Sequence, residues 1–187
     1  RIVSAFLIGP DRSFRQDPRF GLIVLSEIAS RALSPGVNDP GTAIDVIGRV
    51  VRLLSECVNR ADTSEDKTQF DNVYVPAVAI SDLFDDVFTP IARDGASNIE
   101  VGIRLQKALL SLSRTGYEPY RQNAARHSAL ALKRADAALT LQEDKDILAG
   151  FAHQIGSALR KNSVAASAEH SVDQSCSTSR HHPPPKA

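Results

Sequence analysis

The sequence contains no methionine, only two cysteines, no excess of either charge and no long apolar run. Each absence excludes something. With no methionine, and with Arg1 standing inside an apolar helical pattern of Ile2, Ala5 and Phe6, the chain is expected to be a piece of a longer protein. Cys57 lies in a helical pattern and Cys176 in a polar stretch, so neither a disulfide framework nor a zinc site is indicated, and a reducing compartment is the simpler setting. Lys+Arg and Asp+Glu total 22 each, which removes electrostatic attraction to nucleic acid or anionic lipid as a theme. No run reaches the roughly 20 consecutive apolar residues that span a bilayer, and no signal peptide pattern is present. The piece in hand is therefore expected to be soluble.

What is there is helical periodicity, in a chain whose 187 residues and 42% hydrophobic content suit one domain of ordinary size. A first helix ends at Gly9-Pro10. Asp17-Pro18 starts the next, since Asp accepts orphan amide hydrogens and Pro at the first helical position loses no bond. Leu22, Leu25, Ile28, Ala29, Ala32 and Leu33 share its core face until Pro35. Asp39-Pro40 repeats the device, followed by a regular stripe of Ala43, Ile47, Val50, Val51, Leu54 and Val58. Residues 61–69 read as a loop, and Val73, Val75 and Val78 as a short extended segment. Ser81 is expected to cap a helix that kinks or ends at Pro90, and Asn98 to start another. Two more follow, from about Tyr120 to Leu141 and from Glu143 to Lys161. The expected fold is all-α, with about six or seven helices in residues 1–161 and an optional short extended segment near 73–79. Residues 162–187, rich in Ser, His and Pro, have too little apolar surface to offset ordering entropy and are expected to form a disordered tail.

The stretches AFLIGPDRSFRQDPRFGL and RALSPGVNDPGTA, within Ala5 to Asp45, resemble a bacterial family of predicted membrane proteins, domain of unknown function 2254. The later helices match only in general pattern. The resemblance implies that several membrane spans precede this region in the whole protein. It also implies an inner-membrane location for that protein, with this domain on the cytoplasmic side if the spans are even in number. It implies no particular activity.

Polar chemistry concentrates at the two Asp-Pro starts: Arg12, Arg15 and Asp17 at one, Asn38, Asp39 and Thr42 at the other. Free amide hydrogens and the positive dipole end, with two arginines nearby, suit a phosphate or carboxylate ligand. Against this, Asp17 and Asp39 are expected to occupy those ends themselves. A divalent cation held by Asp17, Asp39 and Asp45 has suitable oxygen chemistry, but Asp45 falls on the outer side of its helix beside Arg49, where solvated pairing is the plainer reading. No metal site and no cofactor are assigned. Ser34 sits in LSPG, which is no nucleophile elbow, and Cys57 lies beside a core stripe. His127 and His153 have no acidic partner at helical spacing and read as surface or capping residues, while His170, His181 and His182 fall in the tail. No catalytic residue is assigned.

One feature favours contact with another surface. With Leu25 at the centre of its core face, Ile23 points away and Val24 to the side, and Glu27 and Arg31 share that outer side four residues apart. These four are the candidate interface. The expected function is an interaction, oligomerisation or regulatory domain of a multipass membrane protein, reaching the membrane through preceding spans and forming a homo-oligomer, with no nucleic-acid partner. Two alternatives stand beside it: an anion-binding or metal-dependent enzyme domain at the Asp-Pro starts, and the cytoplasmic part of a transporter or channel.

Overall fold

The computed structural model describes residue 14, residues 17–61 and residues 77–158, the side chains of 59–61 excepted. Among the described residues there are six helices and no strand: α1 (Pro18–Ala32), α2 (Pro40–Ala61), α3 (Ile80–Asp94), α4 (Ile99–Ser113), α5 (Glu118–Ala138) and α6 (142–158). The all-α expectation holds. The first helix, the loop proposed for residues 62–69, the extended segment at 73–76 and the tail of 162–187 all lie outside the described residues.

The first five helices pack as a closed ring in which α1 touches α2, α2 touches α4, α4 touches α5, α5 touches α3, and α3 returns to α1. Each contributes an apolar stripe to the centre. Ala43, Val46, Ile47, Val50 and Leu54 of α2 are buried at helical spacing, with Val51 and Val58 packed against them. Opposite them, Phe84 stacks edge-on to Tyr120 at 5.2 Å and tilts against Phe88 at the same separation. Truncating one such buried aromatic costs about 3–5 kcal/mol. α6 closes the bundle over α4, where Gly102 leaves room for Leu148: a Cβ there would lie 3.1 Å from the leucine side chain.

Few polar groups enter this interior, and the central ones are satisfied. The Tyr120 hydroxyl donates to the Leu54 carbonyl at 3.0 Å, tying α5 to α2 across the core. Gln106 and Ser128 form a reciprocal pair: the Gln106 amide donates to the Ser128 carbonyl at 3.1 Å and the Ser128 hydroxyl to Gln106 Oε1 at 2.6 Å. Such bonds specify register, because a slip would strand buried donors and acceptors.

Three details differ from the sequence expectation. α3 begins at Ile80 with Ala79 at its cap position and no side-chain cap, so Ser81 lies inside the helix. The helix also runs through Pro90 to Asp94, held there by the burial of Phe88, Ile91 and Ala92 around the proline. On α1 the buried face is centred on Leu22, Ser26, Ala29 and Ala32, with Leu25 half-buried and Ile28 45% exposed. A hydrophobic pattern cannot place a serine at the centre. Ser26 is accommodated because its hydroxyl donates to the Ile23 carbonyl at 3.0 Å. The face is thus rotated: Ile23, half-buried, flanks the core, and Glu27 and Ile28 face outward.

α1 is fixed at both ends. Near its start, Arg19 donates through Nε and Nη2 to the two Asp86 oxygens at 2.8 and 3.1 Å and through Nη1 to Asp82 at 2.7 Å. This bidentate cluster, partly exposed, sets the crossing of α1 on α3 through geometry more than through net energy. At its end, the amides of Val37 and Asn38 both donate to the Ser34 carbonyl, and the Asp39 amide donates to Ala32 at 2.8 Å. The turn requires Asn38 at φ +50°, the left-handed region where only Gly, Asn and Asp sit readily. Replacing Asn38 by Val is therefore expected to destabilise the chain by about 1–2 kcal/mol, and by Gly to leave stability within about 0.5 kcal/mol, in urea titrations followed by circular dichroism. Equal losses for both variants would show that the side-chain amide, not the backbone angle, is what the corner needs.

Candidate functional site

The corner accounts for the second Asp-Pro start. Asp39 Oδ1 accepts from the Thr42 amide at 3.1 Å, and the Thr42 hydroxyl donates to Oδ2 at 2.6 Å. Those contacts, the hydroxyl first, hold the Asp39 carboxyl below its usual range. Oδ1 thus caps α2, and Oδ2 is taken up by the Thr42 hydroxyl. At the first start, Asp17 likewise caps α1, accepting from the Phe20 amide at 3.0 Å. Because the corner joins the end of α1 to the start of α2, the two starts are separated by the length of α1, whose 15 residues extend roughly 22 Å. Asn38, Asp39 and Thr42 share one exposed corner, and Asp17 stands at the far end of the helix. Arg12 and Arg15 lie outside the described residues. Asp45 and Arg49 are exposed on the outer side of α2.

The chemistry of the interior lies elsewhere, at His127. This residue continues the stripe of Tyr120, Ala124, Ala131 and Ala135 that α5 buries, and it is 2% exposed between Phe84 and Phe88, whose ring centres are 5.9 and 6.0 Å away. It is not a surface histidine. Its acidic partner comes from a neighbouring helix: Nε2 lies 3.2 Å from Asp85 Oδ1 on α3. Arg126 Nη2 approaches both, at 3.0 Å from the imidazole and 2.9 Å from the carboxylate. The Arg126 contact keeps the Asp85 carboxyl below its usual range. Burial, reinforced by Arg126 and opposed by Asp85, pushes His127 down to about 4. A neutral imidazole can accept from one Arg126 N–H while the other serves Asp85. Sealed beneath the rings, the imidazole is out of reach of a dissolved substrate, so the cluster locks the α3–α5 seam. The sequence did carry the signal, in the spacing of His127 with Tyr120, Ala124 and Ala131. Its partner across the seam was invisible without the fold.

The outer face of α1 and α2 is the remaining concentration of unusual groups. Leu25 and Leu53 with Arg49 and Arg52 line an open groove of about 310 Å³ between the two helices. Leu53 of that lining is 48% exposed, and Ile28, three residues beyond Leu25 on α1, is 45% exposed. Phe14, 65% exposed, lies against α1 at Gly21, where a Cβ would be 3.6 Å from its ring, and stacks on Phe20 at 5.2 Å. Of the four residues marked from sequence, Val24, Glu27 and Arg31 lie towards this outer side and Ile23 flanks the core. Ile28, Arg49, Arg52 and Leu53 were not marked. Leu53 could have been noticed as a leucine off the α2 core stripe, whereas its meeting with Leu25 depends on how α1 packs.

The His127 cluster has a pH consequence. Between pH 6.5 and about 4 the unfolded chain binds a proton at this imidazole that the folded protein does not, so the stabilisation is complete above pH 6.5 and is lost as pH falls towards 4. Asp85 adds to acid sensitivity only below its ordinary value of 3.8. Urea midpoints measured from pH 7 to 4.5 should fall for the parent chain, by up to about 3 kcal/mol in free energy over the full window, and His127→Gln should flatten that slope. An unchanged slope in the variant would mean that His127 does not carry it.

Among the described residues, no helix is long and apolar enough to cross a membrane, and no group of three His, Cys, Asp or Glu side chains is placed to hold a metal ion. Residues 1–111 match the family described as Predicted membrane protein (DUF2254). Uncharacterized proteins of Mycobacterium bovis and of two Mycobacterium tuberculosis strains are 30% identical over 149 residues, which is 78% of this chain and 29% of each relative. The chain thus spans under a third of the length of the curated relatives it matches. No solved structure matches it. With the motif block and the α1–α3 helices inside the matched span, the chain belongs to the DUF2254 family of predicted membrane proteins.

Proposed function

We propose that this chain is an interaction domain through which a membrane protein of this family is assembled or regulated, and that the α1–α2 outer face is its contact surface. The observation that carries the reading is the groove between Leu25 and Leu53, where an exposed leucine and a half-buried one meet two arginines at the surface between α1 and α2. A contiguous apolar patch rimmed by charge is a usual mark of a docking surface. The family description supports a membrane-embedded remainder, within relatives more than three times as long as the matched region. Placement of the domain on the cytoplasmic side of an inner membrane rests on the family's usual arrangement of spans. The Asp-Pro starts support no ligand site of comparable standing, since each described Asp accepts from its own helix.

Thiol labelling tests the reading. Leu53→Cys, in a background of Cys57→Ser and Cys176→Ser, is expected to react with a water-soluble maleimide at least about tenfold more slowly in the whole protein in its native membrane than in the dilute 187-residue chain, as desolvation at an interface core requires. Equal rates would show an open face and refute the contact surface.

A further inference from the structure

The sixth helix is the least secured part of the bundle. We infer that α6 is a detachable strap: it leaves as a unit while the five-helix ring stays folded, and it uncovers an apolar slot on α4 and α5 that it otherwise fills. The ring of α1, α2, α4, α5 and α3 closes on itself without it. Its members are also tied to one another by polar contacts, Arg19 to Asp82 and Asp86, Tyr120 to Leu54, Gln106 to Ser128 and His127 to Asp85. α6 is held differently. Among the described residues, its side-chain hydrogen bonds stay within the helix, from Gln142 to Asp146 and from Ser157 to the Gln154 carbonyl. Its polar contacts with the ring, among the same residues, are Lys145 Nζ at 3.7 Å from Asp136 and Lys107 Nζ at 5.7 Å from the centre of the Phe151 ring, both open to solvent screening.

What holds the strap is a row of apolar side chains at helical spacing, Leu148, Phe151 and Ile155, of which the first and last are fully buried. The seat fits the first of them. Gly102 on α4 leaves the space that Leu148 occupies, and a void of only about 10 Å³ remains beside it among Ala92, Gly95, Leu105, Ala131 and Ala135. That is about the space of one water, so Leu148 closes the slot and its departure opens it. The helix is also weakened at its middle. Gly150 is exposed, and a Cβ there would meet nothing within 4 Å, so packing does not call for glycine at a position where it lowers helix propensity. The hinge is short and begins extended: α5 ends at Ala138, Leu139 has φ −80° and ψ 142°, and residues 139–141 carry the chain into α6. Detachment therefore asks for no rearrangement of α5. The strap and its slot share no residue with the α1–α2 outer face, so they stand whether or not that face is a contact surface.

Hydrogen–deuterium exchange of the 187-residue chain, followed by mass spectrometry at neutral pH, separates a strap from a helix that opens only with the whole bundle. Amides of residues 148–155 are expected to exchange at least about 100-fold faster than the best protected amides of α2 and α4. Leu148→Ala should speed the α6 amides by at least about tenfold, through loss of the buried side chain. Gly150→Ala should slow them about fourfold, as the propensity difference between the two residues requires. Val46→Ala supplies the control: buried in α2, it destabilises the docked and detached forms alike relative to the unfolded chain. It should speed the α2 and α4 amides at least about threefold and leave α6 at its parent rate. Protection of α6 equal to that of the ring overturns the strap. So does a Val46→Ala variant that speeds α6 as much as α2, or a Gly150→Ala variant that leaves α6 unchanged.

Discussion

Asn38 holds a backbone angle of φ +50°, and around it the amides of Val37, Asn38 and Asp39 turn back to the Ser34 and Ala32 carbonyls. That turn reverses the chain between α1 and α2, and the rest of the architecture depends on it. Asp39, delivered at the end of the turn, caps α2 through Oδ1 and accepts the Thr42 hydroxyl at Oδ2. The α2 stripe then faces inward, α1 lies alongside it, and the opposite end of α1 is pinned to α3 through Arg19, Asp82 and Asp86. With α1 fixed at both ends, its rotation is no longer free. Ser26 and Ala29 go to the centre, and Glu27 and Ile28 go to the surface. The outer groove is a consequence of local backbone geometry.

The bundle behind that face is tied by groups that tolerate little displacement. Tyr120 reaches the Leu54 carbonyl, Gln106 and Ser128 satisfy each other, and His127 is enclosed by aromatic rings beside Asp85 and Arg126. Burial holds the Tyr120 phenol protonated well above its ordinary range, consistent with its role as a donor in the core. A firm bundle with polar cross-ties suits a domain that presents a surface, because a preformed face loses little freedom on contact.

Much of this was legible in the sequence where one residue acts through its own backbone. Asp17-Pro18, Asp39-Pro40 and Asn98 announce helix starts because capping is a local property, and all three do so here. The α2 stripe could be read because its apolar residues recur with little ambiguity. Pattern failed where packing chose between alternatives. Ser26 occupies a core position that hydrophobicity assigns to Leu25, because its hydroxyl finds a carbonyl one turn back. Pro90 looked like a kink or an ending, and α3 does not end there, since buried neighbours on both sides keep it together. Asn38 was visible as a polar oddity, but its meaning is a dihedral angle that a sequence does not display. The groove and the His127–Asp85 meeting each need two helices brought together, which sequence spacing cannot supply.

The central claim is that the α1–α2 outer face is covered when the whole protein is assembled in its membrane. Hydroxyl-radical footprinting of the membrane-embedded protein tests it residue by residue, with Leu141 and Ile147, exposed at 54% and 47% away from the groove, as internal references. The account predicts that Ile28 and Leu53 are oxidised several-fold more slowly than these two. Equal oxidation of all four would contradict it.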